Sequence, residues 1–138
     1  MNREELMRIL PHREGMLLID EASLGEDGQA FGKYAVRGDE WFLQGHFPGN
    51  PVVPGVVLCE IMGQACCLLL GAELRGKTPY FTGMSAVRFR GMVRPGDVVE
   101  SSCVLSRQKG NFYWAKARAE VRGKLVAQGE LSFAVLEN

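Results

Sequence analysis

Two groups able to move protons stand close together in the chain. His46 lies in a loop dense in proline and glycine, and Glu60 follows fourteen positions later inside an apolar run. The loop reads Gly45, His46, Phe47, Pro48, Gly49 and continues through Pro51, Pro54 and Gly55. Proline fixes its own backbone angle, so a histidine in such a loop is held in place, as a reacting group must be. An imidazole can accept a proton at neutral pH. Between residues 56 and 70 the only strongly polar side chains are Glu60 and Gln64, and four-residue spacing puts them on one helical face. A helix that is apolar almost all round is a buried helix. A carboxylate there is costly unless it is paired, hydrogen-bonded or protonated, and in protonated form it can act as an acid. Pro54 and Gly55 open the helix, and the free N–H groups of a first turn, with the helix dipole, can hold a polarised carbonyl oxygen. Each residue also has a plainer use: a histidine bracing a tight loop, a carboxylate satisfied by a core partner, an ordinary helix start. Together they make a base, an acid and an oxyanion-binding amide beside an apolar channel. That set suits removal of a proton alpha to a carbonyl with expulsion of a beta-hydroxyl. No nucleophile has an adjacent base, because Cys59 and Glu60 are sequence neighbours and diverge on a helix.

The elements that must position these groups can be read along the chain. Asn2 caps a short helix with Glu5 at the third position, Leu6, Ile9 and Leu10 face inward, and Pro11 stops it. Residues 16–19 read as a short strand, and Gly25, Asp27 and Gly28 as a turn. Residues 29–36 alternate, with Ala30, Gly32, Tyr34 and Val36 on one side. The central helix spans residues 56–70. After a loop at 76–79, a strand covers residues 80–93, with Arg88 and Arg90 flanking Phe89. Arg94, Pro95, Gly96 and Asp97 turn the chain into a strand at residues 98–107. The strand with Tyr113, Ala115, Ala117, Ala119 and Val121 on one face is the clearest, and residues 127–135 continue the pattern after Gly123. Short connections imply antiparallel neighbours. The small residues Ala115, Ala117, Ala119 and Gly129 leave room for the helix. The expected architecture is therefore α+β: a long central helix wrapped by one antiparallel sheet, with a second subunit as the lid over the uncovered side.

Bulk composition narrows the classes. With 138 residues, 46% hydrophobic and 23% charged, the chain reads as a single domain, residues 1–138, with a substantial core. Sixteen basic and sixteen acidic residues cancel, so no overall charge favours nucleic acid or an anionic membrane. No signal-peptide pattern opens the chain, and the apolar run is shorter than the roughly 20 residues of a membrane helix. A cytoplasmic protein without membrane insertion is expected. The four cysteines, Cys59, Cys66, Cys67 and Cys103, form no CxxC pair, and with only two histidines they suggest buried reduced thiols and no metal site.

The order of motifs resembles that of beta-hydroxyacyl-acyl-carrier-protein dehydratases, the hot-dog-fold enzymes of type II fatty acid synthesis. The resemblance is carried by Gly45-His46-Phe47-Pro48-Gly49, by Pro51-Val52-Val53-Pro54-Gly55-Val56, and by Glu60 and Gln64. Leu10-Pro11-His12-Arg13 with Leu17-Leu18-Ile19-Asp20 resembles the opening segment, and Val87-Arg88-Phe89-Arg90 with Pro95-Gly96-Asp97 a later strand and turn. It implies a lyase that converts (3R)-hydroxyacyl thioesters to trans-2-enoyl thioesters. His46 would be the base and Glu60 the acid, supplied by opposite subunits of a homodimer. Gly55 and Val56 would hold the thioester oxygen, with Gln64 and Phe47 lining the tunnel. The acyl group would arrive on the phosphopantetheine of an acyl carrier protein, with no metal or redox cofactor, and three dimers would form a hexamer. Arg88, Arg90 and Arg94 would meet the acidic carrier, and His12 would be structural. Glu14-Gly15 and Gly91-Met92 depart from the usual residues at those places. Glutamate at position 60, where the isomerising sibling enzymes carry aspartate, favours dehydration alone. A thioesterase on the same fold and a non-catalytic acyl-binding subunit are the competing readings.

Overall fold

The computed structural model describes residues 1–138. Helix α1 is Arg3–Met7, β1 is Glu21–Leu24 and β2 is Gln29–Ala35; α2 is Gly55–Cys67, followed by β3 Lys77–Phe89, β4 Val98–Lys109, β5 Phe112–Val121 and β6 Lys124–Glu137. One-turn 3-10 helices at Trp41–Leu43 and Gly71–Leu74 bracket the region of α2. All six strands form one antiparallel sheet in the order β1-β2-β4-β5-β6-β3. The sheet curls around α2 as the hot-dog arrangement requires. Helix and inner sheet face share one cluster of 36 buried residues.

Local chemistry accounts for most of these elements. Asn2 accepts from the Glu5 N–H at 2.9 Å and the Glu5 carboxylate accepts from the Asn2 N–H at 3.3 Å, which is the capping box expected from the sequence. The helix nevertheless ends at Met7, before Pro11. β2 alternates buried and exposed along its length, and β5 does so with Ala115, Ala117, Ala119 and Val121 inward. α2 comes close to β2 at Gly32, where a Cβ would meet that of Ala65 at 3.1 Å. Gly129 serves a different neighbour from the one expected. A Cβ there would meet Val87 of β3 at 2.8 Å, so its missing side chain admits the adjoining strand.

Three further expectations are corrected. Residues 16–19 are not a strand, since β1 begins only at Glu21. The Leu18 N–H donates to Gln64 Oε1 at 2.8 Å and the Met16 carbonyl accepts from Gln64 Nε2 at 2.6 Å. One side-chain amide thus replaces the strand partner that this segment lacks. The central helix is α2, ending at Cys67 and not at residue 70; Leu68, Leu69 and Leu70 continue with tighter three-residue hydrogen bonds. The lid over α2 is largely the chain itself. Leu6, Leu10, Leu17, Leu18, Phe42 and Leu43 are buried in the same core, so a second subunit is not needed to cover most of the helix. What stays open is the stripe of Val56, 71% exposed, and Glu60.

Two turn carboxylates give the fold an acid limit. Asp97 accepts from the Arg94 N–H at 2.9 Å and from Arg122 Nη1 at 2.7 Å. Glu40 accepts from the Tyr34 hydroxyl at 2.6 Å, and from the N–H groups of Arg37 at 3.0 Å and Gly38 at 2.7 Å. Burial opposes ionisation of both, but these donors outweigh it and hold both carboxyls below their usual range. Their stabilisation is complete above the unfolded-state values and is lost as pH falls through the lower folded ones. Thermal melts followed by circular dichroism should show the midpoint dropping below about pH 4. Asp97→Asn should make that drop shallower.

Candidate active site

The His46 loop is held by its own backbone. Phe47 and Asn50 exchange both N–H···O=C bonds, at 3.1 and 2.9 Å, around Pro48 and Gly49. Proline followed by glycine at φ +72° is the sequence and geometry of a type II turn. The Val52 N–H donates to the His46 carbonyl at 2.8 Å, and His46 Nδ1 lies 2.9 Å from the Val52 carbonyl oxygen. A carbonyl only accepts, so Nδ1 carries a proton. Phe47 stacks on the imidazole with ring centroids 4.2 Å apart. In the neutral tautomer that this contact selects, Nε2 is the free acceptor.

Glu60 sits on the open stripe of α2 with its side chain 23% exposed. Its Oε2 accepts from Gln64 Nε2 at 2.8 Å and lies 3.3 Å from His12 Nε2. The full burial expected of this carboxylate is therefore corrected: it lies at the rim of a small cavity. Gln64 itself is buried and fully committed, with Oε1 on Leu18 N–H and Nε2 on Met16 carbonyl and Glu60. The cavity, about 160 Å³, is lined by His12, Glu60, Cys67, Tyr80, Phe81 and Phe133 among others. His46 does not line it, and no hydrogen bond joins His46 to Glu60 within one chain.

α2 begins at Gly55 with Pro54 as its N-cap, one position earlier than a proline at the first helical residue. Proline offers no capping side chain, and the first intrahelical donors are Val57 and Leu58, both onto the Pro54 carbonyl. The N–H groups of Gly55 and Val56 are left without partners at the positive end of the dipole. A Cβ on Gly55 would meet the Phe89 ring at 2.9 Å, so that ring occupies the space the missing side chain opens. A similar approach occurs at Gly63, where a Cβ would stand 2.5 Å from Phe81, itself stacked on Phe133 at 4.8 Å. Alanine at position 63 would improve helix propensity by about 1 kcal/mol but must push that ring aside, an overpacking cost of roughly 1–3 kcal/mol. Gly63→Ala should lower the urea midpoint with an unchanged slope.

The arginines divide. Arg88 and Arg90 are exposed at the end of β3 and just after it. Arg94 donates through Nη1 to Asn50 Oδ1 and so braces the tip of the histidine loop. All four cysteines are unpaired and buried. Burial pushes the Cys59 and Cys67 thiols up, and a hydrogen bond with Cys103 together with burial does the same to Cys66. These three are poor nucleophiles. No helix is long and apolar enough to cross a membrane. His12, expected to be structural, stands with its ring against the Glu60 carboxylate, 48 positions away in the chain. Nothing in the spacing of the two could reveal that contact.

Comparison with known proteins places this geometry in context. A family model described as the FabA-like domain matches residues 10–130. The chain is 45% identical over 137 residues to the 3-hydroxyacyl-acyl-carrier-protein dehydratase FabZ of Caldicellulosiruptor bescii, covering 97% of this chain and 98% of that protein. It is 43% identical over 140 residues to the protein of the same name from Moorella thermoacetica, covering 99% and 98%. Among solved structures, the dehydratase heterocomplex ApeI:P from Xenorhabdus doucetiae superposes with TM-score 0.81 at 22% identity over 96% of this chain and 91% of that one. The fluoroacetyl-CoA thioesterase FlK gives TM-score 0.68 at 17% identity over 86% and 90%. At such identities these two structures establish the fold alone.

Proposed function

The chain belongs to the FabA-like domain family, and from that premise we propose that it dehydrates (3R)-hydroxyacyl thioesters carried on an acyl carrier protein to trans-2-enoyl thioesters in fatty acid synthesis. The observation that carries the reading is the state of His46. Its Nδ1 proton is fixed on the Val52 carbonyl, so Nε2 is an oriented base. The thioester oxygen is held by the unpaired N–H groups of Gly55 and Val56, where charge develops as the alpha proton leaves. His46 Nε2 takes that proton and the electron pair forms the double bond. The beta-hydroxyl departs with a proton from Glu60 as water. His46 ends with one proton more and Glu60 with one fewer, and exchange with solvent restores both. Loss of water leaves the electron count unchanged, so no redox cofactor is called for.

Alpha and beta carbons are adjacent, so base and acid must meet around one substrate. Within one chain no hydrogen bond joins them, and His46 does not line the cavity at Glu60. We therefore place His46 of one protomer opposite Glu60 of its partner in a homodimer. Two observations support this. β3 is an edge strand paired only with β6, which leaves its other row of backbone groups free. Phe47, Val56, Met84, Phe89 and Met92 are all exposed apolar side chains in and around it. The acyl chain would then run along α2 between the subunits, past Phe47 and Gln64. Arg88 and Arg90 would contact the carrier protein.

The test is product analysis with a 3-hydroxybutyryl thioester. A conjugated enoyl thioester, detected by ultraviolet absorbance and loss of one water in the mass spectrum, is the expected result. Release of free thiol would mean hydrolysis instead, and tight binding without turnover would mean an acyl-binding subunit.

A further inference from the structure

We propose that His12 is a positioning residue for Glu60: with Gln64 it places two N–H donors on one carboxylate oxygen, so that the working proton resides on the other. The assignment rests on the dehydration chemistry proposed above. It starts from Gln64, whose amide cannot be turned round. Its oxygen accepts from the Leu18 N–H and its nitrogen donates to the Met16 carbonyl, so the second amide hydrogen must go to Glu60 Oε2. His12 Nε2 stands 3.3 Å from that same oxygen. A small rotation of the ring would aim Nε2–H at that oxygen, and Oε2 would then face two donors and be a poor place for an acid proton. Oε1 has no partner in the chain and is left as the atom that can carry a proton to a departing hydroxyl.

The surroundings of His12 fit this task better than a structural one. A histidine that braces a fold usually has both ring nitrogens hydrogen-bonded. Nδ1 of His12 is buried and has no partner, so the Glu60 carboxylate is the polar neighbour of the ring. A bare lone pair is more tolerable in that place than a further N–H with no acceptor, which favours the tautomer with its proton on Nε2. The backbone beneath it is stapled by Arg13. Nη1 donates to the carbonyls of Leu10 at 3.0 Å and His12 at 2.7 Å, and Nη2 to that of Met7 at 3.1 Å. Arg13 thus holds the segment, and His12 is free to serve Glu60.

The experiment compares wild type with His12→Phe, His12→Ala, His12→Gln, Glu60→Gln and the double variant H12F/E60Q, all as full-length protein turning over a 3-hydroxybutyryl thioester. His12→Phe keeps the volume and removes the donor; kcat should fall roughly 10–100-fold with KM within about twofold, the usual cost of a misplaced reacting group. His12→Gln restores an N–H donor and should recover at least about fivefold over His12→Phe. Because His12 acts through Glu60, adding H12F to the E60Q enzyme should change its residual rate by less than about twofold. The proposal is overturned if His12→Phe keeps wild-type kcat, if its loss is as large on the E60Q background as on wild type, or if KM rises in step with a fall in thermal midpoint. If His12→Ala alone is unstable, the Phe and Gln variants still decide. Wild type that forms no enoyl thioester would remove the dehydratase reading itself, which is distinguishable from a His12 variant with full activity.

Discussion

Replacing His46 by alanine should lower kcat for enoyl formation by roughly 10²–10⁴-fold, the range for loss of a positioned general base. The loop that holds the residue should survive the change. Its bonds run through the backbone: Phe47 with Asn50, and the Val52 N–H to the carbonyl of residue 46. The Arg94–Asn50 contact at the loop tip is also independent of the imidazole. The interactions lost are the part-buried contact of Nδ1 with the Val52 carbonyl, worth about 1 kcal/mol, and the stacking of Phe47 on the ring, worth roughly 0.5–1.5 kcal/mol. The thermal midpoint should therefore move by about 10 degrees at most while the rate collapses. His46→Gln separates orientation from basicity. Its amide keeps a donor for Val52 but offers no group able to take a proton, so it should be nearly as slow as His46→Ala. If either variant is folded and works within about tenfold of wild type, His46 is not the base.

The parts of the molecule legible in the sequence are those whose information is local. Glycine after proline at Pro48-Gly49 marks a tight turn wherever it occurs, and the chain folds it so. The β5 pattern of alanines against charged residues needs only the pleat to be read correctly. The 36-residue core around α2 follows from an apolar run with no hydrophilic side. The failures share another cause. Residues 16–19 look like a strand because they are short and apolar, but their hydrogen bonds go to a side chain 46 positions away, between Leu18 and Gln64. Gly129 looks like space for the helix, and only the β3–β6 register shows Val87 there instead. The approach of His12 to Glu60 spans 48 positions and is set by the fold alone. In each case the residue's partner comes from another element and not from its sequence neighbours. For that reason His46 and Glu60 could be chosen by type and spacing, whereas the atoms that hold each of them required the fold.

Glu60→Gln should cost as much as loss of the base, roughly 10²–10⁴-fold in kcat, and it also reveals how the site is assembled. The substitution is nearly isosteric. Its amide oxygen can still accept from Gln64 Nε2, so the Met16–Gln64–Leu18 network that docks the N-terminal segment on α2 should remain. What disappears is the proton for the departing hydroxyl. Mixing this variant with His46→Ala then discriminates between two arrangements. If base and acid came from one chain, every site in every dimer would retain a lesion and no activity would return. If they come from opposite chains, a mixed dimer has one site with both lesions and one with neither. With random exchange half of the dimers are mixed, so about one quarter of wild-type activity should return. The measurement requires proof that subunits exchange, for example by mass spectrometry of differently labelled chains. Recovery near one quarter assigns the two residues to opposite protomers. No recovery with exchange demonstrated would confine the site to one chain and require His46 or Glu60 to move from where each now stands.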